Sequence, residues 1–182
     1  MKKKILNGMQ GLIKVILNLF SRQFLIKISL ILKPFFELIF KGDRFVDPIN
    51  NKSYSYFFPY GYNKLRKNAL SPGTLSLERH RLLWIFLEKE TDFFNTENKI
   101  LHIAPEQCFY KSFKKNFESY TTCDLNSPIA EIRADVCNLP FDENEFDFVL
   151  CNHVLEHVYD DEKAMKEIYR VLKREGKAIL QV

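Results

Sequence analysis

The chain has no C-x-x-C pair. Its four cysteines, Cys108, Cys123, Cys137 and Cys151, stand 14 or 15 residues apart. That spacing excludes the usual ligand pattern of a structural zinc site and of a dithiol redox motif. There is no G-x-G-x-x-G, the phosphate-cradling turn of nicotinamide-dependent enzymes. No apolar run approaches the roughly 20 residues that span a bilayer, because Lys14, Arg22 and Lys27 interrupt the Ile-, Leu- and Phe-rich stretch 5–40. Neither sign of charge is in large excess: 27 basic against 23 acidic residues give +4, too little by itself to argue for nucleic acid. No signal-peptide cleavage pattern is visible, so a reducing cytoplasm is the expected location.

What is present is globular in composition, with 46% apolar and 27% charged residues in 182. That length suits one domain with an appendage. The charge is unevenly placed. Residues 1–44 carry nine Lys/Arg against Glu37 and Asp43, or +7, and the remainder carries 18 basic and 21 acidic residues, or −3. In the arm, Leu12, Val15, Ile16, Leu19 and Phe20 fall on one helical stripe. Leu25, Ile28, Ser29 and Leu32 form a second piece stopped near Pro34. Phe35, Phe36, Leu38, Ile39 and Phe40 follow, and Gly42 closes the arm. Such a basic amphipathic segment either packs on the body or lies on an anionic membrane surface, a peripheral membrane contact through residues 1–44.

Residues 45–76 are broken by Pro48, Pro59, Gly61, Pro72 and Gly73 into short strands and turns. Tyr54, Tyr56, Phe57, Phe58, Tyr60 and Tyr62 predict a small aromatic-packed lobe. Lys64, Arg66 and Lys67 are its one basic cluster, so there is no strong nucleic-acid signal. Asp47-Pro48-Ile49-Asn50 and Ser71-Pro72-Gly73-Thr74 resemble the C-P-x-C pairs of small zinc ribbons with every thiolate missing, so no metal is expected. A helix is predicted from about Leu77 to Lys89, capped by Ser76. Leu82, Leu83, Trp84, Ile85 and Phe86 would form its apolar face, with Arg79, His80 and Arg81 near the cleft.

From Lys99 the pattern becomes short apolar runs ending in polar residues. The strand candidates are 100–104, 120–123, 132–134, 146–151 and 177–182. A helix opens near Phe109 and another runs from Asp160 to Arg174, stopped by Gly176, with Ala164, Met165, Ile168, Val171 and Leu172 as its buried stripe. Strands alternating with helices predict an α/β fold, a doubly wound, mostly parallel sheet. Ligands of such sheets sit beyond the carboxyl ends of the strands. That singles out Ala104, Pro105 and Glu106, then Asp124 with Leu125, Asp135 with Val136, and Asn152 with His153. An acid after the second strand suits a ribose, and an acid after the third suits an adenine amine beside an apolar ring contact. By spacing alone, a methyl-donor enzyme and a nicotinamide enzyme fit equally.

Three ordered stretches decide between them. Residues 138–149 read NLPFDENEFDFV, residues 152–158 read NHVLEHV, and residues 169–176 read YRVLKREG. Together they resemble the LPF-x-(D/E)-x-x-F-D-x-V, V-L-E-H and R-V-L-K-P-G-G segments of class I, type-11-like methyltransferases, with Arg174 and Glu175 in place of Pro-Gly. The resemblance covers about residues 98–182. It implies a Rossmann-like sheet, S-adenosylmethionine as cofactor and methyl transfer to a small-molecule acceptor. His102, Ala104, Pro105, Glu106, Asp124, Leu125, Asp135, Val136, Asn152 and His153 would then hold the cofactor, with His153 as candidate base.

The sequence departs from that pattern in three places. Ala104, Glu106 and Cys108 stand where the family's first turn has glycines, which predicts a wider turn, with Glu106 replacing the usual acid at the cofactor's ammonium. Seven residues separate Asp124 from Ile132, too few for a helical crossover, so the third strand should be vestigial. The chain stops at the fifth strand, short of the family's final helix and hairpin. The expected organisation is a helical arm (1–44), a turn-rich lobe (45–76), a connecting helix (77–97) and an incomplete cofactor domain (98–182). The competing reading is an inactive or truncated relative that acts as a binding or membrane-peripheral protein.

Overall fold

The computed structural model describes residues 32, 34–61 and 64–182. The arm stripes of residues 12–20 and 25–29, and Tyr62, lie outside them. The chain forms two compact units, 1–78 and 79–182. No described helix is long and apolar enough to cross a membrane.

In the first unit, residue 32 and residues 34–39 are helical, Pro34 among them. Strand β1 (Lys41–Asp47) pairs antiparallel with β2 (Lys52–Tyr54), and β3 (Phe58–Tyr60) with β4 (Arg66–Leu70). Gly42 does not end the arm but lies inside β1. A Cβ there would sit 2.5 Å from the Ser55 nitrogen, so a strand this close admits only glycine. The expected aromatic packing is present: Phe36 and Phe40 meet Phe58 edge-on at 5.5 and 4.9 Å, and Tyr54 and Phe57 are buried.

The two Pro-containing tetrads of this unit meet each other. The buried Asp47 carboxylate accepts from the Ile49 N–H at 3.1 Å and from the Thr74 hydroxyl at 2.5 Å. The Ser71 hydroxyl accepts from the N–H groups of Gly73 and Thr74 at 3.2 and 3.4 Å. Asn50 donates to the Tyr54 hydroxyl at 2.8 Å. Direct hydrogen bonds therefore join the turns, and they satisfy polar groups that burial would otherwise penalise.

The second unit is built on a five-stranded sheet of order β7-β6-β5-β8-β9. Its strands are β5 (Ile100–Ile103), β6 (Tyr120–Asp124), β7 (Ile132–Arg133), β8 (Phe146–Asn152) and β9 (Leu172–Gln181). Every pairing is parallel. Its helices are α1 (Glu78–Glu90), α2 (Gln107–Asn116) and α3 (Asp161–Val171). As expected, β7 is vestigial, two residues beside Cys123 and Asp124 of β6 with no helical crossover before it.

Alternation along β5 explains the layers. Leu101 and Ile103 enter a core with Cys123, Val149, Cys151 and the α3 residues Ala164, Ile168 and Val171. His102 faces the other way, toward Phe109 and Phe113 of α2 at 6.4 and 6.0 Å. There Trp84 of α1 stacks on Phe113 at 5.7 Å, and Phe93 meets Phe148 at 5.2 Å. Burial pushes the thiols of Cys123 and Cys151 up to about 12, so both behave as core residues.

Both outer helices differ in detail from expectation. The buried stripe of α1 is His80, Leu83, Trp84 and Leu87, a spacing of three, one and three, while Leu82, Ile85 and Phe86 are exposed. Helix α3 starts as expected, with the Asp160 side chain accepting from the Lys163 N–H at 2.9 Å, but it ends at Val171 rather than Arg174. Lys173 leaves the helix to pair with Asp147 at 2.8 Å. Gly176 is a close approach rather than a helix stop, since a Cβ there would lie 2.9 Å from Leu172 and 3.0 Å from the Phe146 carbonyl. Met165 is exposed, not part of the stripe.

The motif pair NLPF and YRVLK also acquires a physical reason. Arg170 of α3 donates to the carbonyls of Phe141 and Leu139 at 2.7 and 2.9 Å. Glu167, held low in pKa chiefly by Arg170, accepts from the Leu139 N–H at 2.8 Å. The two motifs form one clamp that fixes the loop leading into β8.

Candidate active site

The parallel register sets the site. Ile103 pairs with Cys123 on one side and Cys151 on the other. The next residues, Ala104, Asp124 and Asn152, therefore end on one level, and Asn152 pairs in turn with Gln181. This is the carboxyl edge at which open α/β sheets take ligands.

Ala104 keeps a tight turn where a wider one was expected. Its φ is 51° and its N–H donates to the Cys123 carbonyl at 2.9 Å. A left-handed backbone costs an alanine about 1 kcal/mol, so the geometry of a glycine turn is retained with strain at the strand tip. Pro105 is buried and leads into α2.

Glu106 occupies the N-cap position of α2, yet its side chain does not cap the helix. Instead Oε2 accepts from His102 Nε2 at 2.6 Å and Oε1 accepts from Asn152 Nδ2 at 3.1 Å. Burial pushes its pKa up, but the hydrogen bond from His102, with further help from His102, His80 and Asn152, outweighs that and holds it low. The site therefore contains a largely buried acidic side chain, 16% exposed, whose ionised form is favoured. His102 has no exposed surface. It therefore offers no atom to solvent at the strand tips and reaches that edge through its hydrogen bond to Glu106. Its Nδ1 lies 2.8 Å from the Tyr120 hydroxyl.

Asp124 shapes the neighbouring turn. Its Oδ1 accepts from the N–H groups of Asn126 and Ser127 at 2.7 and 2.5 Å, which leaves Oδ2 outside these loop bonds. Asp124, Leu125, Ser127, Ile132 and Arg133 line an open cleft of about 270 Å³. Leu125 is half-exposed there. Asp135 and Val136 are not brought into this cleft. Asp135 is exposed and accepts from the Cys137 N–H at 2.9 Å, and Val136 is packed in the α3-side core.

At the tip of β8, His153 adopts a φ of 55° and its N–H donates to the Gln181 carbonyl at 2.7 Å. Its Nδ1 lies 3.2 Å from Glu156 Oε1. Its Nε2 is buried without a hydrogen bond, as are Asn152 Oδ1 and Gln181 Oε1. Unpaired buried polar atoms are rare, and here they gather at neighbouring strand tips. Sequence reasoning did not single out Tyr120, Glu156, Arg133 or Gln181. The one available signal was His102 itself, a polar ring inside the apolar run Ile-Leu-His-Ile, which must find buried partners.

The family described as "Methyltransferase domain" matches residues 97–180. An uncharacterized protein of Methanocaldococcus jannaschii is 52% identical over 52 residues, 29% of this chain and 23% of that protein. The 2-phytyl-1,4-naphtoquinone methyltransferase of Nostoc punctiforme is 44% identical over 52 residues, with the same two shares of 29% and 23%. The matched part is thus under a quarter of the length of either curated relative. The solved YcgJ protein of Bacillus subtilis superposes with a TM-score of 0.46 at 22% identity, over 57% of this chain and 50% of that one. Residues 97–180 thus match the model of that family and build a five-stranded parallel sheet of the α/β, Rossmann-like kind.

Proposed function

We propose that the chain transfers a methyl group from S-adenosylmethionine to a small-molecule acceptor. One observation carries this reading: a largely buried carboxylate, Glu106, and an unpaired acceptor, Asn152 Oδ1, stand together at the strand tips. Asn152 Oδ1 lacks a donor beside the negative charge of Glu106, and an ammonium group supplies both a donor and a counter-ion. Glu106 and Asn152 would hold the cofactor's ammonium, and Asp124 Oδ2 its ribose hydroxyls, with Leu125 along the cleft. When bound, the cofactor supplies a methyl group already activated by its sulfonium. His153 would take a proton from the acceptor: with Nδ1–H donated to Glu156, Nε2 would carry the lone pair a general base needs. The naphthoquinone acceptor in the name of the Nostoc relative supports a small-molecule acceptor here.

Calorimetric titration with S-adenosylhomocysteine tests the reading. The intact chain should bind, and Asp124→Ala should weaken binding at least tenfold. No binding to the intact chain refutes the function. Unchanged affinity in the variant refutes the ribose assignment.

A second proposal concerns location: a cytoplasmic protein held peripherally at a membrane through residues 1–44. The exposed side chains of Phe35, Leu38 and Ile39 support it. Co-flotation with anionic vesicles should be lost when these residues are changed to serine, and flotation that persists unchanged would sink it.

A further inference from the structure

Helix α3 buries one side and leaves the other bare. Ala164, Ile168 and Val171 pack into the core. At 100° per residue, Glu162, Lys166 and Tyr169 fall on the opposite side, with Met165 at its flank. Tyr169 is 81% exposed, and Tyr159, just ahead of the helix, is fully exposed. Tyr159 precedes the N-cap Asp160, a position from which an apolar side chain often packs back on the helix. Here the ring stands clear of it. Tyrosine and methionine are among the residue types enriched where proteins meet.

The spacing of this stripe is complementary to itself. Glu162 and Lys166 lie two positions either side of Ala164, and Tyr159 and Tyr169 lie five positions either side. In a two-fold pairing, whatever residue i meets in the partner must meet residue i in return. An axis across the outer side of α3 at the level of Ala164 meets that condition with opposite charges. It sets Glu162 of each copy against Lys166 of the other, and Tyr159 of each against Tyr169 of the other. The helices then run antiparallel, so the acidic first turn of each, Asp161 and Glu162, approaches the C-terminal turn of the other, as the helix dipoles favour. Within one chain, Lys166 donates to Glu162 at 2.7 Å, and both side chains are largely exposed. An exposed pair of this kind contributes little, so exchanging partners across an axis costs little.

We propose that this face of α3 docks a second copy of the chain, antiparallel, about a two-fold axis at the level of Ala164. The occupant follows from the charge and ring pairing, which a second copy satisfies twice over. One helix face is a small interface, and the expected dissociation constant is on the order of 10 μM. The inference does not depend on the methyltransferase reading.

Sedimentation velocity of the full-length chain, from about 1 to about 200 μM, tests it. The parent should pass from monomer to dimer across that range. Lys166→Glu sets acid against acid at both charge pairs and should weaken the dimer about tenfold or more, and Glu162→Lys should do the same with bases. Glu162→Lys combined with Lys166→Glu restores opposite charges across the axis and should recover the parent's affinity within about threefold. Tyr159→Ser combined with Tyr169→Ser should leave a monomer throughout. Circular dichroism of every variant should match the parent, because each changed side chain is exposed. A parent that stays monomeric over the whole range overturns the proposal. A dimer that the single charge reversals leave unchanged also overturns it, by placing the association elsewhere on the chain. So does a dimer weakened by the single reversals that the double reversal fails to restore.

Discussion

Acidification from pH 7 to pH 5 should destabilise the second unit through His80. This ring lies on the buried stripe of α1 and is 8% exposed. Burial is the main cause that lowers its pKa from 6.5 to about 4, and the nearby Glu106 charge pulls weakly the other way. The unfolded chain therefore takes up a proton near pH 6.5 that the folded chain refuses until about pH 4. Stability is fully present above the first value and is lost as pH falls toward the second. The whole difference corresponds to about 3 kcal/mol, of which about 2 kcal/mol is lost between pH 7 and pH 5. Urea titrations read by tryptophan fluorescence measure it directly, since Trp84 is the one tryptophan of the chain and lies one helical turn from His80. His80→Gln, which cannot take up this proton, should show a slope shallower by that amount. Equal losses in parent and variant would refute the assignment of the acid sensitivity to this ring.

Arg170→Ala should cost about 2 kcal/mol through the lost bonds to the Leu139 and Phe141 carbonyls, a drop of about 8 °C in the thermal midpoint for a domain of this size. Arg170→Lys should recover less than half, because an ammonium cannot fork to two carbonyls. A change below 2 °C in the alanine variant, judged against the order of effect for surface substitutions of about 0.5 kcal/mol, would show that the clamp contributes nothing. His153→Ala should lower methyl transfer about a hundredfold while leaving S-adenosylhomocysteine affinity within twofold. Parallel losses in both would make His153 a binding residue instead.

The sequence by itself determined the alternation of strands and helices, because runs such as Phe146–Cys151 and the capped amphipathic turn at Asp160 encode their structure within a few neighbouring residues. It also placed Ala104, Glu106, Asp124, Asn152 and His153 at strand ends, since a strand ends where its apolar run ends. Ladder register then brings those ends to one level. The short link after Asp124 announced a vestigial β7 for the same local reason. Boundaries set by distant contacts were not legible. Helix α3 stops at Val171 because Lys173 pairs with Asp147 and Gly176 must clear Phe146. The buried side of α1 is chosen by Phe109 and Phe113 in another helix.

The chemistry of the site divides along the same line. That Glu106 is available was readable. That it is largely buried and hydrogen-bonded to His102 and Asn152, with Tyr120 behind His102, was not, because these residues lie 4, 46 and 14 positions away along the chain and converge only when β5, β6 and β8 align. Val136 shows the reverse: its place after the third strand suggested a ligand contact, and packing drew it into the core. Residue type and local order fix which groups can act. A pKa, a tautomer or an exposed face depends on what surrounds a group in space, and only the assembled sheet supplies that.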